Sequence, residues 1–174
     1  YNQELSSLTK LLVHKKQQLI SKASPYMKDI FEKIFGENFS LRMELKSLFE
    51  GLTSSEIYEI FQDNVEKELI LKTTHSGQHK DDYQLFLDDF PVHEYASLGQ
   101  LKMSYFSVLF AFIEVFCCKF NESPIVLIDD VSGELDHIRL KQLLVFLRNL
   151  NSQVFLTSAS GELFLDDKKI RVLN

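Results

Sequence analysis

Apolar residues change their spacing several times along this chain, and each change predicts an element. Over residues 2–23, Leu5, Leu8, Leu12 and Leu19 fall near a heptad-like stripe among polar residues, which predicts an amphipathic helix. Ser24 then offers a cap and Pro25 a first helical position, so a second helix is expected to run to Phe35. That helix would place Met27, Phe31 and Phe35, and also Tyr26, Ile30 and Ile34, at four-residue spacing, with Gly36 ending it. Two helices joined by so short a break predict an antiparallel hairpin or arm. From Phe39 the period falls to two, with Phe39, Leu41, Met43 and Leu45 alternating with polar residues as in a half-buried strand. Ser54 or Ser55 can cap a helix through about Val65 with Ile57, Ile60 and Phe61 on one face. Residues 69–74 and 83–87 read as strands around the polar loop 76–82, Asp88 and Asp89 as a turn, and residues 92–95 as a short strand.

The second part of the chain is more apolar. A long helix follows Gly99 and Gln100, and residues 124–129 form a continuous apolar strand. A helix over about 136–149 and a buried strand over 153–157 follow, and residues 163–173 predict a closing hairpin. Apolar strands alternating with helices point to an α/β fold with a sheet covered on both faces. The division expected is a helical arm and lobe over residues 1–72 and an α/β lobe over residues 73–174. The apolar run 105–118 is shorter than the roughly 20 residues a bilayer requires and carries Glu114, so a buried core helix is expected rather than a membrane span.

Composition narrows the class. The 174 residues suffice for one domain with a core or two small lobes. A formal charge of -6 excludes a surface that wraps nucleic acid throughout, although a local basic patch is compatible with it. Cys117 and Cys118 are adjacent and lack metal-ligand spacing, so they read as thiols of a reducing compartment. No signal peptide opens the chain, and its first residue is Tyr1 rather than Met, so a processed chain or a fragment is expected. Lys10, His14, Lys15, Lys16 and Lys22 make a basic helix face, expected to be solvated. His75, His93 and His137 are isolated, and Thr157, Ser158 and Ser160 lack a paired base for nucleophilic work.

Candidate chemistry concentrates after residue 96. The run Ile125-Val126-Leu127-Ile128 ends in Asp129-Asp130, placing two carboxylates at the C-terminal edge of a strand, where open α/β sheets bind ligands. One such carboxylate can hold Mg²⁺ and its neighbour can orient or deprotonate a water. An acidic strand end is equally ordinary loop chemistry. Ser132-Gly133-Glu134-Leu135-Asp136 follows, with Asp136 capping the next helix, and this string resembles the D-loop after Walker B in ABC-type ATPases. Upstream, Ala96-Ser97-Leu98-Gly99-Gln100 opens a long helix and resembles the ABC signature, where a hydroxyl, a glycine and free helix-start N–H groups face a phosphate. Ser97 as a plain N-cap accounts for the same residue without a ligand.

The finer pattern resembles the RecF family. Ser76-Gly77-Gln78-His79-Lys80-Asp81-Asp82 looks like its Gly-Pro-His-Arg-Asp-Asp stretch, and Gly99-Gln100-Leu101-Lys102 like its signature helix. Asp129-Asp130 through Asp136 is similar to its Walker B and D-loop, residues 153–157 to the strand after them, and Tyr1-Asn2-Gln3-Glu4-Leu5 to the start of its helical arm. The resemblance implies the C-terminal part of an ABC-type P-loop ATPase head, related to SMC and Rad50 heads, with a helical arm and lobe before it. It implies ATP and Mg²⁺ as cofactors, an ATP-dependent homodimer on DNA at single-stranded/double-stranded junctions, and RecO- and RecR-like partners in recombinase loading. DNA repair, replication and recombination, the SOS response and a cytoplasmic location come with it, and no membrane.

By the same resemblance Asp129 would hold Mg²⁺ and Asp130 would position the hydrolytic water. Ser97, Gly99 and Gln100 would close over nucleotide on the other subunit, with Glu134 and Asp136 at the D-loop and dimer interface. His79 and Lys80 match a motif of unassigned role. Departures are present: Gln78 stands for Pro, Lys80 for Arg, Gly133 for the D-loop Ser, and Thr157-Ser158 where many ABC proteins carry a switch His. No G-x-x-x-x-G-K-[ST] occurs in the chain, so it is expected to bind ATP weakly or not at all by itself. A non-catalytic ABC-like dimerisation or recruitment module is the alternative reading. A Mg²⁺-dependent phosphoesterase is disfavoured, because no further carboxylates accompany Asp129 and Asp130.

Overall fold

The first thirty-odd residues form one rod. In the computed structural model, which describes residues 2–36 and 39–158, helix α1 runs without interruption over Asn2–Phe35. The predicted hairpin is therefore absent, and Pro25 sits inside the helix. Ser24 does not cap a new helix; its Oγ donates to the Ile20 carbonyl at 3.0 Å, within the first turn behind it. Proline costs the helix one internal hydrogen bond. The offsetting term is packing, because Ser6, Thr9, Val13, Ile20, Ala23, Met27, Ile30 and Ile34 are buried along one line that passes straight through Pro25. That line is not the predicted leucine stripe: Leu5, Leu8, Leu12 and Leu19 are exposed. The N-terminal half of α1 instead turns its small polar residues toward the rest of the protein.

Strand β1 (Leu41–Lys46) follows, buried at Leu41, Met43 and Leu45 as its alternation predicts. Helix α2 covers Ser54–Leu71 and is capped by Thr53, one residue before the expected cap. The Thr53 hydroxyl accepts from the Glu56 N–H at 3.3 Å, and the Glu56 carboxylate accepts from the Thr53 N–H at 2.7 Å. Those Thr53 contacts, the backbone bond foremost, hold the Glu56 carboxyl below the usual range. The strand expected over 69–74 is absent, because the helix continues to Leu71 and stops at Lys72 in the left-handed region. An apolar run such as Leu69-Ile70-Leu71 carries no period of its own, and here it extends the helix in front of it.

β2 (Asp82–Leu87) pairs antiparallel with β1, Leu41 facing Leu87 and Met43 facing Leu85, and β3 (Phe90–Pro91) closes the hairpin through the Asp88 turn. Residues 92–95, expected as strand, form a helical turn, α3 (Val92–Tyr95), because Pro91 cannot donate to a ladder and presets a helix start. β1 lies before residue 72 and β2 after it, so one sheet spans both parts of the expected division.

Helix α4 (Leu98–Phe120) lies against α1, with Met103, Phe106, Phe110, Ala111 and Ile113 buried. Among the described residues it is the one helix long and apolar enough to cross a membrane. It carries buried Ser104 and Ser107, whose hydroxyls donate to the Gln100 and Met103 carbonyls, and it belongs to the shared core. A parallel pair then forms from β4 (Val126–Ile128) and β5 (Val154–Leu156) around helix α5 (His137–Asn149). Among the described residues the expected cover on both faces is found on one only. Val126 and Ile128 are buried, whereas Leu127 is 73% exposed, with Ile125 and Phe155 also open. The closing hairpin expected over 163–173 and the residue Tyr1 lie outside the described residues.

Candidate functional site

The site grows from the end of β4. Thr157 donates its N–H to the Ile128 carbonyl at 3.0 Å, and the Val131 N–H donates to the Thr157 carbonyl at 2.9 Å, so the two strand ends stay paired past the ladder. Val131 is fully buried. It forces the chain to turn immediately after the acids, which leaves Asp129 and Asp130 exposed on the rim. The Thr157 hydroxyl accepts from the Asp130 N–H at 2.9 Å and donates to Asp129 Oδ1. Asp129 Oδ1 also accepts from the Asp130 N–H at 3.1 Å. Asp130 has a φ of 43°, a left-handed conformation that side chains rarely adopt. Its Oδ1 accepts from Ser132 Oγ at 3.3 Å, and a Cβ on Gly133 would lie 2.5 Å from its Oδ2. The Asp130 carboxylate thus lies over the glycine at the D-loop position, and a side chain there would displace it.

The turn runs on to Glu134, exposed with a φ of 66°, and to Asp136, the N-cap of α5. Asp136 Oδ1 accepts from the Arg139 N–H at 2.8 Å, and its Oδ2 from Arg139 Nη1 at 3.2 Å. The start of α4 lies directly against this turn: a Cβ on Gly99 would come within 3.2 Å of the Glu134 carbonyl oxygen. Ser97 and Gln100 form a capping box, Ser97 Oγ accepting from the Gln100 N–H at 3.2 Å and Gln100 Oε1 from the Ser97 N–H at 3.0 Å. Ser97, Gly99, Gln100, Asp129, Asp130, Glu134 and Asp136 thus gather around one turn, although they come from two helices and a strand end.

Two residues with no assigned role belong to this cluster. Thr157 joins both acids, and Lys102 donates from Nζ to the Asp130 carbonyl at 2.8 Å and the Gly133 carbonyl at 2.6 Å. Thr157 was legible from register, since β4 and β5 pair Ile128 with Leu156, which sets residue 157 beside residue 129. Lys102 carries no such signal. No group of three or more metal-ligating side chains occurs among the described residues. Asp129 and Asp130 suit a divalent cation only in the mode where one or two carboxylates share it with phosphate and water.

His79 and Lys80 stand apart from this cluster. They belong to a short 3₁₀ turn, Gln78–Lys80, anchored on α1 and α2. Lys16, expected to be solvated, donates to Asp81 Oδ2 at 2.6 Å and to Gln78 Oε1 at 2.9 Å. Glu68 accepts the N–H groups of His75 and Ser76 at 2.6 and 3.1 Å, and Asn64 donates to Ser76 Oγ at 3.0 Å. The bonds from Ser76 and then His75 hold the Glu68 carboxyl below its usual range. The His79 ring covers Gly77, where a Cβ would meet Nδ1 at 2.7 Å. His79 and Lys80 are both exposed on this fixed loop. A groove of about 800 Å³ between the first turns of α1 and α2 is lined by Gln3, Leu8, Ser54 and Tyr58 and holds none of the candidate residues.

No family model matches the chain. It is similar to proteins named DNA replication and repair protein RecF. That of Oenococcus oeni is 34% identical over 167 residues, 91% of this chain and 44% of the relative. That of Limosilactobacillus reuteri is 32% identical over 152 residues (83% and 40%), and that of Cytophaga hutchinsonii 24% over 160 residues (91% and 42%). The chain thus spans less than half the length of these curated relatives. Two solved structures of the recombination mediator protein RecF, described as RecF-ATP and RecF-ATPrS in the RecFOR pathway, match 92% of the chain. Their TM-scores are 0.70 and 0.66, at 18% and 20% identity, and each is covered to 44%.

Proposed function

The chain is RecF-like, with the α/β fold of the C-terminal part of an ABC-type ATPase head, and on that premise we propose that it supplies the acidic and signature halves of an ATP site. In this reading Asp129 shares Mg²⁺ with the nucleotide and Asp130 positions the attacking water. Ser97, Gly99 and Gln100 face nucleotide held by a second copy, and Glu134 and Asp136 lie at the interface between copies. Mg²⁺, when bound, neutralises developing phosphate charge. The residues of this chain orient the water and the partner's phosphate. The phosphate-binding loop, absent from these 174 residues, would come from elsewhere in the whole protein.

The whole protein would be a cytoplasmic DNA-repair and replication ATPase that dimerises with ATP on DNA, acts at single-stranded/double-stranded junctions in recombination and the SOS response, and works with RecO- and RecR-like partners. The observation that carries the reading is the contact between the α4 start and the turn after the exposed acids, Gly99 against the Glu134 carbonyl. That contact supports the reading because it sets the α4 start beside the turn that follows the acids. The exposed apolar face of Ile125, Leu127 and Phe155 also supports it, since a complete head would cover that face.

One observation favours the alternative, a non-catalytic module: the capping box already engages the Ser97 hydroxyl, the Gln100 side chain and the N–H groups of both residues, among them groups that a nucleotide would meet. Sedimentation of the full-length protein with Ser97→Arg separates the two readings. The ATP-site reading expects ATP-dependent dimers in the unaltered protein and their loss in the variant. Dimerisation that ignores both ATP and the variant favours the module.

A further inference from the structure

The turn from Asp130 to Glu134 is held in a conformation that its own residues do not favour. Two non-glycine residues, Asp130 and Glu134, have φ of 43° and 66°, and the Asp130 carboxylate lies over Gly133, where a Cβ would displace it. Such backbone persists only where its surroundings over-determine it. Three attachments do so here. Val131 is buried from within, Thr157 binds the strand end, and Lys102 reaches across from α4 to two carbonyls, those of Asp130 and Gly133. An ammonium has three donors, and its bonds to carbonyls are charge-assisted, so two converging acceptors suit it.

Lys102 differs from the other two attachments in where it comes from. It lies in the second turn of the helix whose first turn carries Ser97, Gly99 and Gln100. We propose that Lys102 is a positioning residue for ATP hydrolysis: its ammonium clamps the Asp130–Gly133 turn to α4 and so sets the direction of the Asp130 carboxylate. The surface offered to a second copy and the acid acting in this chain's own site are then one rigid unit, and closure on one side fixes geometry on the other. The inference rests on the ATP-site reading above. Lys102 touches neither the nucleotide nor the water in this scheme.

The test uses the full-length protein with Lys102→Met, which keeps the aliphatic stem and removes the donors, Lys102→Arg, which keeps the charge, and Asp130→Asn as reference. Lys102→Met is expected to lower kcat about tenfold to a hundredfold, the scale of a small misplacement of catalytic groups. KM for ATP and the melting temperature should stay close to the unaltered values. Amide exchange of residues 131–134 should accelerate, and Lys102→Arg should recover part of kcat. Should Lys102→Met fail to fold, Lys102→Gln, which removes the charge and shortens the reach while keeping an amide NH₂, is read for the same split. If Asp130→Asn abolishes turnover while the Lys102 variants keep kcat and turn protection, the clamp is overturned and the ATP-site reading stands. Loss confined to KM or to melting temperature also overturns it, and unchanged turnover in Asp130→Asn removes both.

Discussion

Breaking the Lys16–Asp81 pair is the sharpest stability test this fold offers. The Asp81 side chain is 2% exposed and that of Lys16 19%, and their atoms approach to 2.6 Å. Lys16→Met preserves the stem packed along α1 but leaves the Asp81 carboxylate buried without its cation, and Gln78 also loses its donor. Removing one partner of a buried pair costs roughly 3–5 kcal/mol, because the remaining charge has neither water nor counter-ion. Lys16 keeps some solvent access, so the lower end, about 3 kcal/mol, is expected. For a protein unit of this size that is about 6–12 °C in Tm. Adding Asp81→Leu to Lys16→Met should return most of the loss, since an apolar pair of similar volume replaces the ions. Chemical denaturation of the full-length single and double variants measures both numbers. A single-variant loss below about 1 kcal/mol, or a double variant no better than the single, would refute a buried latch.

Two further outcomes follow from the fold. Glu68 has its folded-state pKa lowered, so its contribution to anchoring residues 75–76 is present above the unfolded carboxyl value of roughly 4.3 and is lost as pH falls through the folded value. Amide exchange of His75 and Ser76 should therefore gain an acid-dependent increase that Glu68→Gln lacks, and identical profiles would sink the assignment. Pro25→Ala should raise stability by about 1 kcal/mol or more by restoring a helical donor, measured as Tm; a lower Tm would mean that the proline ring is required by the packing of α1.

What the sequence made legible was the α/β class and the local elements around the rim acids more than the arrangement of the first half of the chain. Val126 to Asp136 is found as strand, rim acids, turn and capped helix, because apolar period, acidic strand end and N-cap are all local signals. Pro25 misled because a cap followed by proline describes a helix start as well as a proline tolerated inside a packed helix; only the buried line on α1, set by contacts with α4 and α2, decides between them. Leu69 to Leu71 misled for want of a period, and the leucines of α1 misled because the loop around Asp81 claims the polar face opposite them. Lys102 and Thr157 were not read as site residues for another reason. Their roles consist of bonds to backbone and neighbouring acids across 27 to 31 residues of sequence, and no local pattern encodes those bonds.

The most direct measurement is single-turnover ATP hydrolysis, with Mg²⁺ and DNA, by the full-length protein carrying Asp130→Asn. If the exposed rim acid positions the attacking water, nucleotide still binds and copies still associate, but the chemical step slows by at least about a hundredfold. Hydrolysis at the unaltered rate would contradict the account.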